Sequence, residues 1–131
     1  FLYSSSMRGD DVPYYTVLDG KETDLVEIPS KWELDDYVAQ AYSVYPAEPA
    51  GLDRISCYRN VQDNDIREFR GYYDMGLCIA FLMHPQISGA PGRNLVLEEV
   101  LKEVTSHKDV WVATGSEVAE YWRKAHPRKE D

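Results

Sequence analysis

Cysteine is scarce in this chain: two among 131 residues, Cys57 and Cys78. That count excludes a disulfide framework and a zinc knuckle. It fits a reducing compartment, so the expected location is cytoplasmic. Basic residues are outnumbered, 14 Lys and Arg against 23 Asp and Glu, leaving a net charge of −9 and a sequence pI near 4.7. Such a surface repels phosphate backbones and anionic lipid, which argues against nucleic acid and membrane as partners. No apolar run reaches the roughly 18 residues of a membrane helix, and no signal peptide is legible. There is no internal repeat. His-x-x-x-His and any Cys/His pair at ligand spacing are also missing. What remains is 44% hydrophobic and 12% aromatic, the composition of a globular domain with a core. The chain opens with Phe1 in a strand-like stretch, so it is expected to be a piece of something longer.

Phe1 to Ser4 reads as the end of a strand, followed by a polar, turn-rich segment to Pro13. Tyr14 to Leu18 predicts a short strand closed by Asp19-Gly20, and Leu25 to Pro29 another ended by proline. Ser30 to Asp65 has no sustained period and predicts a long loop with short helical pieces. Asp65 is placed to cap a helix over 66–75 with Ile66, Phe69, Tyr72 and Tyr73 on one face. Leu77 to Met83 is apolar without alternation, the pattern of a strand covered on both faces in a parallel sheet. After a Pro- and Gly-rich loop, Leu97, Val100, Leu101 and Val104 keep helical spacing over Asn94 to Ser106, with Glu98 and Lys102 on the polar side. Val110 to Ala113 predicts a further short strand. Thr114-Gly-Ser-Glu117 is a capping box opening a helix to about Ala125, stopped by Pro127. Strands and helices alternating with short connections predict parallel β/α units, about four strands in all.

In β/α barrels, chemistry sits on the loops after the C-terminal strand ends. That rule selects Asp10-Asp11, then Trp32 to Asp36, then His84. His84 follows the buried strand and could trade a proton near neutral pH, or it could be a structural histidine at a strand end. Asp35 and Asp36 could orient that imidazole and favour its charged form, or simply cap a short helix. Trp32 could wall a pocket or belong to the core. Asp10 and Asp11 with Arg8 could form an ion-pair cluster at the rim, or a plain turn. His107 and His126, near helix ends, face solvent in this reading. The Ser-Gly-Ala-Pro-Gly-Arg run ending at Arg93 matches no phosphate loop, and Pro91 removes a donor.

Taken in order, four blocks resemble a known family. They are Ser4-Ser-Ser-Met-Arg-Gly-Asp-Asp-Val-Pro-Tyr14, Leu25-Val-Glu-Ile-Pro-Ser-Lys-Trp-Glu-Leu-Asp-Asp36, Phe81-Leu-Met-His-Pro-Gln-Ile-Ser-Gly-Ala-Pro-Gly-Arg93 and Val110-Trp-Val-Ala-Thr-Gly-Ser-Glu117. They look like the second half of NodB-type polysaccharide deacetylases, in the branch with peptidoglycan-deacetylase-like and allantoinase-like proteins. The resemblance is weakest from Val38 to Asp65.

The resemblance implies an α/β fold: the C-terminal part of a distorted (β/α)7 barrel, with parallel strands and flanking helices. Residues 1–131 would form the C-terminal half of the domain. The metal-binding N-terminal half would lie outside, as a second chain or a missing segment, and an open sheet edge implies association into an oligomer. The family's divalent metal, usually zinc, would find its ligands outside this chain. His84 matches the family's catalytic acid, with Asp35 or Asp36 as the carboxylate that tunes it. Trp32 matches the pocket tryptophan, and Trp32, Asp11 and Arg93 are the expected substrate-binding residues, although the arginine-proline form of the family's third motif is not reproduced around Asp11. The implied activity is metal-dependent hydrolysis of non-peptide C–N amide bonds, on an N-acetyl sugar of a glycan. The alternatives are a cyclic amide or ureide substrate, as for an allantoinase- or imidase-like enzyme, and a non-catalytic half-barrel interaction module. The chain alone is expected to be inactive.

Overall fold

The computed structural model describes residues 1–41 and 56–128. The middle of the unpatterned stretch, 42–55, lies outside the described residues. The architecture is mixed α/β. Three strands form the sheet: β1 (Tyr3–Ser4), β2 (Tyr14–Leu18) and β3 (Lys21–Glu27), in the order β1-β3-β2. A 3-10 turn (Trp32–Leu34) leads into α1 (Asp36–Gln40). Then come α2 (Tyr58–Met75), α3 (Pro85–Ser88), α4 (Pro91–Ser106) and α5 (Gly115–Ala125).

The expectation of parallel strands holds for one pair and fails for the other. β1 runs parallel to β3, with Tyr3 opposite Val26. β2 and β3 are antiparallel. The reason is the two-residue link Asp19-Gly20, with φ of 51° and 79°. Two positive φ values in a two-residue loop give the turn whose twist matches a hairpin, not a crossover.

Leu77 to Met83 is extended but is not a central strand. Its single ladder contact is a parallel bridge from Leu82 to Asp35. Its amides reach neighbouring loops instead: Cys78 N–H donates to Asp11 O at 3.1 Å, and Leu82 N–H to Leu34 O at 3.0 Å. Ile79 and Phe81 are half-buried against a core of Phe69, Val100 and Val104. Val110 to Ala113 likewise forms no strand among the described residues.

The helices depart from their expected bounds at their starts. α2 begins at Tyr58, after Cys57, so Asp65 lies inside the helix and is buried, not at its cap. α4 begins at Pro91, whose missing N–H costs nothing in a first turn. Its buried stripe is Val96, Val100 and Val104, whereas Leu101 is 49% exposed. The i, i+4 row through Val100 faces α2 and turns Leu101 aside. The Thr114–Glu117 capping box is present at α5. α5 packs on β1 and β3, and its N-terminus comes so close that a Cβ on Gly115 would collide with the Tyr3 ring.

Candidate active site

Three segments carry the expected site residues: the loop after β1, the loop after β3, and the loop after 77–83. β1 and β3 run parallel, and a parallel bridge joins Asp35 to Leu82. The loop after β1 is anchored by Glu27, which has no exposed surface. Its Oε1 accepts the amides of Ser6 and Met7 at 2.6 and 2.8 Å. Sequence reasoning missed Glu27, because nothing in a strand-end Glu-Ile-Pro marks a buried carboxylate.

Asp35 and Asp36 divide the work between the two readings offered for them. Asp35 Oδ1 accepts the Tyr37 amide at 2.9 Å and caps α1. Asp36 turns toward the third segment. Its Oδ1 lies 2.6 Å from His84 Nδ1, and its Oδ2 accepts the His84 amide at 2.9 Å. Oδ2 also accepts the Ser88 amide at 3.2 Å and the Ser88 hydroxyl. Asp35 Oδ1 stands farther from the ring, at 3.8 Å. Burial pushes the Asp36 carboxyl up, but the bonds from Ser88, the His84 amide and the His84 ring outweigh it and hold it below the usual carboxylate value. Proline at the head of α3 sets the first turn, so Ser88, four residues after His84, comes back onto the same carboxylate. That i, i+4 relation was in the sequence and went unused.

The imidazole is thus held at Nδ1 with its side chain 32% exposed. Tyr37 flanks it with ring centroids 5.6 Å apart. Nε2 has no hydrogen-bond partner among the described residues. A histidine fixed by a carboxylate on one nitrogen and open on the other is arranged for proton transfer.

The remaining expected site residues are placed as follows. Trp32 is 58% exposed and lies under the Arg8 guanidinium, 3.8 Å from the ring centroid. It is not core. Asp11 is not joined to the His84 pair or to Arg8. It takes Lys31 at 2.7 Å and the Tyr72 hydroxyl at 2.8 Å, and these hold its carboxyl below the usual range. Arg93 lines a small cavity behind Asp35 and Asp36, not the exposed face of the ring. His126 is exposed as expected, but His107 is half-buried, edge-on to Phe69 and Tyr73.

Asp35, Asp36 and His84, which the sequence singled out together, bring three donor atoms within 4.8 Å of one another. Hydrogen bonds among the described residues engage both Asp36 oxygens, His84 Nδ1 and Asp35 Oδ1, and leave His84 Nε2 free.

No protein-family model matches the chain. A peptidoglycan deacetylase of Helicobacter pylori is 29% identical, aligned over 98% of this chain and 51% of that protein. A crystal structure from Mycobacterium smegmatis, provisionally named a polysaccharide deacetylase, is 34% identical with a TM-score of 0.80, covering 100% of this chain and 45% of that one. The resemblance to polysaccharide deacetylases read from the sequence holds. PuuE allantoinase shares the fold at a TM-score of 0.78 and 20% identity, covering 98% of this chain and 41% of that one. The chain spans about half the length of the curated relative from Helicobacter pylori.

Proposed function

We propose that this chain is the C-terminal part of a hydrolase of non-peptide C–N amide bonds, acting as a polysaccharide deacetylase on N-acetyl sugars, with His84 as general acid. The observation that carries this is the buried Asp36 carboxylate on His84 Nδ1, which leaves Nε2 toward solvent at the end of an extended segment. The kinship with deacetylases supports the substrate class.

Asp36 fixes the ring and stabilises positive charge on it, and Ser88 keeps Asp36 in place. Nε2–H then donates to the amide nitrogen as the C–N bond breaks, so that an amine and not an amide anion departs. Trp32 offers a flat apolar surface beside Asp35 that suits a sugar ring, with Arg8 stacked over it in this structure. The divalent metal of the family, usually zinc, would supply water activation from ligands outside this chain. In this reading the described residues complete a distorted (β/α)7 barrel with an N-terminal half supplied by a missing segment or a second chain.

A second reading, a cyclic amide or ureide as substrate, is favoured by the fold likeness to PuuE allantoinase and needs the same acid. Turnover of the complete protein on an N-acetylated glycan and on a cyclic ureide separates the two. In the complete protein His84→Ala should lower kcat on the true substrate by about 10²–10⁴-fold with metal content unchanged. Near-normal turnover would reduce His84 to a structural residue. No turnover by the intact protein on either substrate would favour a non-catalytic module.

A further inference from the structure

α1 is built the wrong way round for a surface helix. Its buried residues are the polar Asp36 and Gln40, while Tyr37 is 51% and Val38 55% exposed. A surface helix ordinarily buries its apolar side chains and gives its polar ones to water. Asp36 is buried because it holds His84. Packing within the described residues gives no such reason for exposing Tyr37. Yet Tyr37 is the aromatic ring set against His84, with centroids 5.6 Å apart and planes tilted by 57°. That spacing is an aromatic pair in contact.

The backbone holds Tyr37 there. Its amide donates to Asp35 Oδ1 at 2.9 Å, and its carbonyl accepts the Ala41 amide at 3.0 Å. Three successive residues thus serve the site in different ways: Asp35 caps α1, Asp36 takes Nδ1 at 2.6 Å, and Tyr37 lies against the imidazole. The His84 and Tyr37 side chains both reach solvent, so they border one stretch of surface.

We propose that Tyr37 is a substrate-contacting residue: it packs against the sugar that carries the leaving nitrogen, while His84 protonates that nitrogen. The inference rests on the reading of His84 as an acid and of the substrate as an N-acetyl sugar. When such an amide is hydrolysed, the C–N bond breaks, the acetyl group departs as acetate, and the sugar keeps the nitrogen. To receive its proton, the nitrogen must come within about 3 Å of Nε2. The acetyl carbon faces the attacking water, which is activated outside this chain. The sugar is then the part that lies along the surface beside His84, and the half-exposed Tyr37 ring offers an apolar face to its C–H groups. Trp32 carries the Arg8 guanidinium 3.8 Å from its ring centroid and is not needed for this contact.

The test separates the two products. In the complete protein, glucosamine and acetate are titrated by NMR into wild type, Tyr37→Ala and Tyr37→Phe. Tyr37→Ala should weaken glucosamine binding about tenfold and leave acetate unchanged, whereas Tyr37→Phe, which keeps the ring, should bind glucosamine as wild type does. On an N-acetylated glycan the Tyr37→Ala loss should fall on KM, in contrast to the kcat loss expected of His84→Ala. Equal weakening of both products would make Tyr37 a support for the His84 ring and overturn the proposal, as would an unchanged KM. Should Tyr37→Ala fail to fold, magnetisation transfer from the wild-type Tyr37 ring to bound glucosamine decides, and its absence refutes the contact. Wild-type turnover with glucosamine binding indifferent to Tyr37 removes this inference and leaves the acid role. Normal turnover of His84→Ala removes the acid role, while a selective loss of glucosamine in Tyr37→Ala would still stand as a measured contact. A wild type that neither turns over the glycan nor binds glucosamine removes both.

Discussion

Asp36 grips His84 at two points, the backbone amide at 2.9 Å and the ring Nδ1 at 2.6 Å, one on each carboxylate oxygen. A side chain that holds both the backbone and the ring of its partner leaves the imidazole little freedom to swing. Asp36 is 5% exposed, and Ser88 fills its remaining acceptor capacity. Asp36→Ala would strand the His84 and Ser88 donors, so it should destabilise the protein by about 2–4 kcal/mol in urea unfolding at pH 7.

The pH dependence of that loss has a definite sign. The folded Asp36 value is depressed, so its stabilisation is present above the unfolded value, near 4, and is lost as pH falls through the folded one. The stability gap between wild type and Asp36→Ala should therefore narrow in acid. A gap that stays constant from pH 7 to pH 2 would contradict the assignment.

Asp65 acts in the opposite sense. Its folded value is raised to about 6, so between the unfolded value and about 6 the unfolded chain has released a proton that the folded chain still holds. Stability then falls as pH rises through that window, by about 3 kcal/mol in total if the whole shift is expressed. Asp65→Asn keeps the volume and removes the ionisation. It should unfold at higher urea than wild type at pH 7, and the difference should vanish near pH 4.

Much of this could be read in advance, for identifiable reasons. The hairpin strand Tyr14–Leu18, its Asp-Gly turn and the Thr114 capping box are local devices, and local chemistry specifies them. His84 and the Asp35-Asp36 pair were selected by strand-end position, and the fold joins them. The choice between the two aspartates was not legible, because it depends on which side of the α1 cap each carboxyl leaves. Leu77–Met83 looked like a fully paired strand because apolar runs record burial, not hydrogen-bond partners. Its half-burial against Phe69 satisfies the same pattern. Asp65 was misplaced because a carboxyl before an apolar helix face reads as a cap, whereas here the helix starts seven residues earlier, at Tyr58.

Glu27 offers a test of how the loop after β1 is held. It is fully buried, accepts two amides on Oε1, and has no partner for Oε2 among the described residues. Ser6 and Met7 are themselves exposed, so their freed amides can turn to water, and the loss of these two bonds should cost about 1–2 kcal/mol. Glu27→Ala should also loosen Arg8 from Trp32, since Arg8 sits one residue past Met7. Hydrogen exchange at Ser6 and Met7, together with Trp32 fluorescence, reports both effects. Unchanged exchange at these amides would show that the loop is held by other means.

The last prediction concerns what covers the open side of the sheet. β1 pairs with β3 on one edge, and its other edge has no strand partner among the described residues. Beside it, a groove of about 590 Å³ is lined by Phe1, Leu2, Leu25 and Ser116. Phe1, Leu2 and Tyr3 are exposed. Unpaired backbone next to exposed apolar side chains is a template for another strand, and a barrel needs more strands than the three described here. Known relatives are about twice as long, which leaves room for the strands that would cover this edge. A separately made N-terminal half should therefore bind this chain, and charged substitutions at Leu2 and Leu25 should weaken that binding by at least tenfold. Without the partner, the chain should associate with itself in sedimentation equilibrium at micromolar concentration. A monodisperse monomer that also ignores an added N-terminal half would show that this edge is closed in some other way.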